Sequence, residues 1–142
     1  MAILRLTLSN RPHEIPRALR ALSEFLDEEG VLPAMAHRTK LVVEELVANV
    51  VQHAFDDDAT HTILLDVRTE PAGVVIVVED DGKPFDPRAV NPPSVDQLLK
   101  AGADGGLGIT IIQKATSDLE YTREAGKNRV RAFIAHASKR PR

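Results

Sequence analysis

The chain begins with a strand-like pattern that changes to a helical one. Residues 3–8 alternate between apolar and polar side chains, which predicts a first strand at an edge of a sheet. Asn10 then offers an N-cap for a first helix, whose apolar residues recur at intervals of three and four as far as Leu26. Gly30 is expected to end this helix as a C-cap residue.

A longer helix and two strands follow. Leucines and valines at helical spacing predict a helix over residues 33–54. Residues 62–69 alternate and predict a second strand, and a turn at 71–73 leads to the unbroken valine and isoleucine run at 74–78. Such a β-branched run is typical of a central strand.

The last third of the chain predicts a long loop, a helix and a hairpin. Residues 84–104 contain four prolines and little periodicity, as in a functional lid. Glycines then open a helix that runs to Ala115, and 118–123 and 128–136 form a hairpin. This order of elements predicts one domain, 1–142, of the α+β class. We expect that domain to be a two-layer sandwich with helices on one face of a mixed, mostly antiparallel sheet.

Composition excludes several classes of protein. A length of 142 residues is enough for one self-sufficient core. The absence of cysteine excludes a disulfide scaffold, a cysteine-ligated zinc site and a thiol nucleophile. A net charge of −3 and 4% aromatic residues argue against nucleic-acid binding. No apolar run reaches the roughly 20 residues of a membrane-spanning helix, so we expect no membrane partner and a soluble, cytoplasmic protein.

Two polar residues interrupt the long second helix. Glu45 and Asn49 are four apart, so their side chains share one face, whereas Glu44 points about 100° away. By themselves they could lie at the solvent edge of the helix. Asn49 is a sensible magnesium ligand only if phosphates supply the other oxygen ligands. Glu45 could then orient or deprotonate an attacking group.

Two glycine-containing turns complete the candidate chemistry. Asp80 and Gly82 follow the central strand, where a carboxylate can accept a hydrogen bond from an exocyclic amine and a glycine permits a tight turn. A plain Asp-Gly turn explains the same residues. The run Gly105, Gly106, Leu107 and Gly108 opens a helix, where backbone N–H groups and the helix dipole favour a phosphate. It is neither a Walker nor a Rossmann motif.

The order and spacing of these motifs resemble the GHKL ATPase family, over roughly residues 3–137. Within that family, three segments look like the bacterial anti-sigma factor serine kinases: EELVANVVQHA at 44–54, DDGKPFDP at 80–87 and GGLGI at 105–109. The resemblance implies a Bergerat fold that binds ATP and Mg²⁺ between helices and sheet, with the ATP lid at about 86–104.

The resemblance also implies a role for each matched residue. Asn49 would coordinate magnesium and Glu45 would act as the general base. Asp80 would hold the adenine amine, with Gly82 beneath the ring. The glycine-rich segment, Gly105, Gly106, Leu107 and Gly108, would follow the phosphates.

Two positions depart from the family pattern. Pro84 replaces the usual second glycine of the adenine motif and stiffens the entrance of the lid. The threonine that family members often carry on a late strand near the adenine is missing, and Asn128 or a water could stand in for it.

The leading hypothesis is an anti-sigma factor-type serine/threonine protein kinase. It would phosphorylate an anti-sigma factor antagonist and sequester a sigma factor. The edge strand at residues 3–8 could form a homodimer, or it could equally be covered within the monomer. One alternative is a regulatory module that binds ATP with little or no phosphoryl transfer. Another is a stand-alone histidine-kinase ATPase domain that acts on a separate phosphotransfer protein.

Overall fold

The computed structural model describes residues 2–89 and 107–136, with Leu107 described only by its backbone. Within these ranges the chain forms three helices and five strands. In order, these are β1 (Ile3–Ser9), α1 (Glu14–Glu28), α2 (Pro33–His53), β2 (Thr62–Glu70), β3 (Gly73–Asp80), α3 (Leu107–Ala115), β4 (Asp118–Glu124) and β5 (Lys127–Ala135). None of these helices is long and apolar enough to cross a membrane.

The strands form one sheet in the order β1-β2-β3-β5-β4. Each neighbouring pair of the described strands is antiparallel. The predicted mostly antiparallel sheet is therefore confirmed, with β1 at an edge and β3 at the centre. The register between β3 and β5 pairs Asp80 directly with Asn128. This pairing brings together residues from two motifs that are far apart along the chain.

One face of the sheet packs against the helices and forms the core. Alternate side chains of the three middle strands are buried on that face, as the period of two requires. These are Ile63, Leu65, Val67, Val74, Ile76, Val78, Val130, Ala132 and Ile134. They pack against buried residues of α1 and α2, such as Leu22 and Val43. Truncating a fully buried leucine such as Leu22 to alanine would cost about 2–5 kcal/mol.

The other face of the sheet is covered by no described helix and carries ion pairs. Arg5 pairs with Asp66 at 3.5 Å, and Lys127 pairs with Glu79 at 3.5 Å. Leu64 is 42% exposed on the same side. The expected two-layer α+β sandwich, with helices on one face, is the observed architecture.

The start of α1 differs from the expectation. Asn10 is not its N-cap; the residue at that position is His13, which makes no capping hydrogen bond through its side chain. The Asn10 side-chain oxygen instead accepts a hydrogen bond from the His61 N–H at 2.7 Å, and the Asn10 N–H donates to the His61 carbonyl. Asn10 therefore extends the contact between β1 and the chain before β2, a long-range use that no local pattern reveals.

The β4–β5 hairpin forms as predicted, with a tighter turn. Glu124 pairs with Lys127, so Ala125 and Gly126 alone make the connection. Both have positive φ, 53° and 75°. Two positive φ values are typical of the type I′ turn, whose twist matches that of antiparallel strands. The turn sets the register that places β5 beside β3.

Candidate functional site

A cleft opens where α2 meets the ends of β3 and β5. The volume that it encloses is about 20 Å³, well below the usual range for small-molecule sites. Its walls are mostly apolar, with three polar side chains among them. The lining residues are Leu46, Asn49, Val50, Ala54, Val78, Asp80, Phe85, Pro87, Asn128 and Val130. The cleft thus joins parts of two motifs singled out in the sequence.

Asp80 ends β3 and its side chain is buried in the wall of the cleft. Its Oδ1 accepts hydrogen bonds from the Gly82 N–H at 2.8 Å and from Asn128 Nδ2 at 3.0 Å. No described residue donates to its Oδ2. Burial raises the pKa of Asp80, and the hydrogen bonds from Asn128 and Gly82 act in the opposite direction. Asp80 therefore has one oxygen held by the protein and one left to accept a hydrogen bond.

Asn128 is the centre of a hydrogen-bond network beside Asp80. Its Oδ1 accepts from Tyr121 Oη at 2.5 Å and from Arg123 Nη1 at 3.0 Å. Its Nδ2 donates to the Lys83 carbonyl at 2.7 Å as well as to Asp80. Asn128 was expected near the base from the sequence, whereas Tyr121 and Arg123 were not. The period of two along β5 is the signal in the sequence that Asn128 is buried, because it places this residue on the same face as the buried residues of the strand.

Asn49 and Glu45 lie one turn apart on α2, as their spacing predicts. Asn49 lines the cleft, and no described residue forms a hydrogen bond with its buried Nδ2. A buried amide of this kind is costly unless something pairs with it. Glu45 is partly buried, and desolvation raises the pKa of its carboxyl, with a smaller contribution from the charge of Glu44. Both features are typical of residues that meet a ligand.

Gly108 lies in the first turn of α3 and faces Glu45. A Cβ added to Gly108 would overlap Glu45 Oε2. The Glu45 carboxylate therefore occupies the space that a side chain at position 108 would take. The first turn of a helix carries N–H groups without intrahelical partners, and its dipole favours negative charge. Glu45 and Gly108 thus meet at a position suited to an anion.

Gly82 has a packing reason to be glycine. A Cβ at this position would lie 2.5 Å from both the Cβ and the carbonyl oxygen of Ala54, the C-cap of α2. The Lys83 N–H donates to that same carbonyl at 2.8 Å. The turn after β3 is therefore docked on the end of α2. Gly82 does not line the cleft, so its predicted place beneath a ring stays a prediction.

The chain that leaves this turn is held by aromatic and ionic contacts. Phe85 lines the cleft, and its ring stacks with His53 at a centroid distance of 6.2 Å. Lys83 pairs with Asp56, and Arg88 pairs with Asp86, each at 2.8 Å. These contacts fix the start of the predicted lid. Most of the lid, together with Gly105, Gly106 and the Leu107 side chain, lies outside the described residues.

The fit of a magnesium ion depends on Asn49. Among residues 2–89 and 107–136, no three His, Cys, Asp or Glu side chains come together as a metal site. Rotation of the Asn49 amide by about 180° would exchange its oxygen and its Nδ2, because the two ends of an amide have nearly the same shape. The oxygen would then occupy the buried position that Nδ2 holds now. A single neutral oxygen suits magnesium when phosphates supply the rest of its shell. The residues present fit a magnesium ion that arrives with a nucleotide.

The two-layer fold and the cleft between helices and sheet define a nucleotide-binding domain of the ATPase type. The chain belongs to the histidine kinase-like ATPase domain family, whose model matches residues 8–134. The family resemblance inferred from the motifs is therefore confirmed.

A curated relative is the serine/threonine-protein kinase BtrW of Bordetella bronchiseptica strain RB50. It is 28% identical over 88 residues, which is 62% of this chain and 62% of the kinase. The matched region thus spans less than two-thirds of that relative.

Two solved structures share the fold. The RsbU and RsbW domains of Rv1364c from Mycobacterium tuberculosis match with a TM-score of 0.68 and 17% identity, over 95% of this chain and 32% of that one. The SiaB–SiaC complex from Pseudomonas aeruginosa matches with a TM-score of 0.65 and 19% identity, over 92% and 88%. At these identities the likeness extends to the fold.

Proposed function

We propose that this chain is an ATP-dependent protein kinase that phosphorylates a serine or threonine on a partner protein. The observation that carries the proposal is the contact between Glu45 and Gly108. It brings a carboxylate to the first turn of α3, one helical turn from Asn49 at the cleft. A base next to an anion-binding helix end is the arrangement that phosphoryl transfer to a hydroxyl needs.

On the nucleotide side, Asp80 Oδ2 accepts a hydrogen bond from the adenine amine, with Gly82 near the ring. The glycine-rich segment, Gly105, Gly106, Leu107 and Gly108, offers backbone N–H groups to the phosphates. Asn49 holds the magnesium ion, which would offset the charge of the phosphate oxygens when bound.

On the protein-substrate side, Glu45 accepts the proton of the attacking hydroxyl. The hydroxyl oxygen forms a bond to the γ-phosphorus while the bond from that phosphorus to the bridging oxygen breaks, and ADP leaves. Desolvation raises the pKa of Glu45, which makes its carboxylate a stronger base than an exposed glutamate.

The proposed substrate is an anti-sigma factor antagonist, and the proposed regulatory target is a sigma factor in the cytoplasm. The kinase name of one relative, and the protein complex formed by one structural neighbour, support a partner protein. We also propose a homodimer through the sheet, whose edge strand is β1 (Ile3–Ser9), and sedimentation of the purified chain would test it.

The decisive experiment compares Glu45→Gln with Glu44→Gln in transfer of labelled phosphate from ATP to candidate antagonists. Loss of a general base costs about 10²–10⁴-fold in rate, so Glu45→Gln should lose at least a hundredfold while ATP affinity stays within about threefold. Glu44 is the control because it is exposed and adjacent in sequence. Unchanged transfer by Glu45→Gln would exclude Glu45 as the base.

A second candidate function is a regulatory module that binds ATP without transferring phosphate. It is supported by the ion pairs of Lys83 and Arg88, two described cations near the cleft, whose charges are paired with Asp56 and Asp86. ATP binding without labelled product on any partner would favour this module. An acid-labile product would instead indicate phosphohistidine and a histidine-kinase ATPase domain, whereas phosphoserine and phosphothreonine are acid-stable.

A further inference from the structure

We propose that Asn128 is the positioning residue for base recognition: it orients Asp80 so that one carboxylate oxygen is presented to an exocyclic amine, which selects adenine over 6-oxo purines. The inference rests on the proposed nucleotide site. It goes beyond that site because it assigns the choice of base to the β4–β5 hairpin. The relevant observations are the contacts of Asn128 with Tyr121, Arg123 and Asp80.

The orientation of the Asn128 amide follows from the groups around it. Tyr121 Oη and Arg123 Nη1 are donors on one side, at 2.5 and 3.0 Å. The Asp80 carboxylate and the Lys83 carbonyl are acceptors on the other side, at 3.0 and 2.7 Å. A reversed amide would set its oxygen against two acceptors and its NH₂ against a guanidinium. The hairpin therefore forces Nδ2 toward Asp80.

This orientation determines which oxygen of Asp80 is available. Gly82 N–H and Asn128 Nδ2 both donate to Oδ1, at 2.8 and 3.0 Å. Oδ2 is left, among the described residues, as an acceptor without a donor. An acceptor at this point matches the amino group of adenine and opposes the carbonyl oxygen of hypoxanthine or guanine. Sites that hydrogen-bond one substrate group reject analogues that cannot pair with it.

A purely structural role explains the Asn128 side chain less well than positioning of Asp80 does, because the backbone already joins β3 to β5. Asp80 and Asn128 are partners in the β3–β5 ladder through their main chains. Arg123 Nη1 also holds the turn directly, through the Gly82 carbonyl at 2.8 Å. The Asn128 amide adds a hydrogen bond from β5 to the Asp80 carboxylate at 3.0 Å, beside its bond to the Lys83 carbonyl at 2.7 Å.

The test measures the affinity of the whole chain for Mg-ATP and Mg-ITP by calorimetry. ITP differs from ATP at the base, where a carbonyl replaces the amine. Asn128→Ala should weaken ATP about tenfold, as expected for one oriented hydrogen bond, and weaken ITP much less. Asn128→Asp keeps the shape but replaces the donor with an acceptor, so its loss of ATP affinity should exceed that of Asn128→Ala.

Tyr121→Phe is the milder variant if the Asn128 variants do not fold. It removes one donor to Asn128 Oδ1 and keeps the ring, so the ATP-to-ITP preference should fall in the same direction by about threefold. Arg129→Ala is the matched control, because Arg129 is the exposed neighbour on β5 and should leave the preference unchanged.

Equal losses of ATP and ITP affinity in Asn128→Ala, or an unchanged preference in Tyr121→Phe, would overturn the inference and leave a structural role. If the wild-type chain binds neither nucleotide, the proposed nucleotide site fails first. Binding of ATP with an unchanged preference in every variant would overturn only the role of Asn128.

Discussion

Glu45 combines burial, a neighbouring like charge and a close contact with the first turn of α3. Desolvation raises the pKa of Glu45 most, and the charge of Glu44 adds to the increase. The contact with Gly108 sets where the carboxylate lies. Two predictions follow at the scale of single residues.

The first concerns pH and stability. Because the pKa of Glu45 is raised, the folded chain binds this proton more tightly than the unfolded chain does. Its stabilising contribution is therefore present below the unfolded value and is lost as pH rises through the folded value. Relative to wild type, Glu45→Gln should gain about 2 °C in melting temperature at pH 8 and nothing near pH 4. Paired thermal melts measure this difference, and an equal shift at both pH values would contradict the linkage.

The second concerns Gly108. Gly108→Ala introduces a methyl group into the space of Glu45 Oε2, which can move because it ends a flexible side chain. Alanine also favours the helix over glycine by up to about 1 kcal/mol, so the fold should not be weakened. We expect an unchanged or higher melting temperature with at least a tenfold loss of phosphoryl transfer. Full transfer by this variant would show that the position of Glu45 is not critical.

At the scale of elements, the end of α2 and the turn after β3 are packed directly on each other. Ala54 contacts the space at Gly82 through both its Cβ and its carbonyl oxygen. The carbonyl belongs to the backbone of the helix end and cannot rotate away. This contact fixes the distance between the helix that carries Asn49 and the strand that ends in Asp80.

We therefore predict that Gly82→Ala destabilises the fold by overpacking, by about 1–3 kcal/mol in urea unfolding. The double variant Gly82→Ala, Ala54→Gly should recover part of the loss, because it removes the methyl contact and leaves the carbonyl contact. Additive effects of the two substitutions would mean that they do not meet. Gly30→Ala is a poor control because Gly30 has φ of 67°, where alanine is itself strained.

At the scale of the whole molecule, the cleft joins a helix from one layer to strands of the other. A ligand that binds there holds the two layers together and stabilises the folded chain by mass action. At a concentration one hundred times its Kd, the gain is about 2.7 kcal/mol. Mg-ATP should then raise the melting temperature by about 5–10 °C.

The matched comparison uses Mg-ATP with wild type and with Asp80→Asn in a thermal melt. Asp80→Asn replaces an acceptor of the adenine amine and should lose most of the shift while retaining its own fold. An equal shift in both proteins would place ATP elsewhere. The absence of a shift in wild type at millimolar Mg-ATP would contradict the nucleotide site itself.

Much of the fold could be predicted because the relevant patterns are local. Alternation in β1 and helical spacing in α2 reflect side-chain periods that neighbouring residues express without the rest of the chain. The run of β-branched residues identified β3 as central for a similar reason. Asn10 is an exception, because its side chain suits an N-cap but accepts a hydrogen bond from His61, which is distant in the sequence.

The candidate site was predictable in kind, but its contacts were not. The spacing of Glu45 and Asn49 placed both on one helix face, and the order of the motifs identified the family. By contrast, Asp80 and Asn128 are 48 positions apart, and no local pattern states that they are cross-strand partners. The role of Gly82 against Ala54 also became visible only once α2 and β3 were packed.

By itself, then, the sequence determined the elements, the two-layer class and the family of this protein, because side-chain periods and motif spacing are properties of short segments. The tertiary structure alone decided that Glu45 meets Gly108, that Asn128 holds one oxygen of Asp80, and that the buried Asn49 Nδ2 has no partner among the described residues. Those contacts depend on sheet register and on the packing of helix against sheet, where residues distant in sequence compete for the same partners.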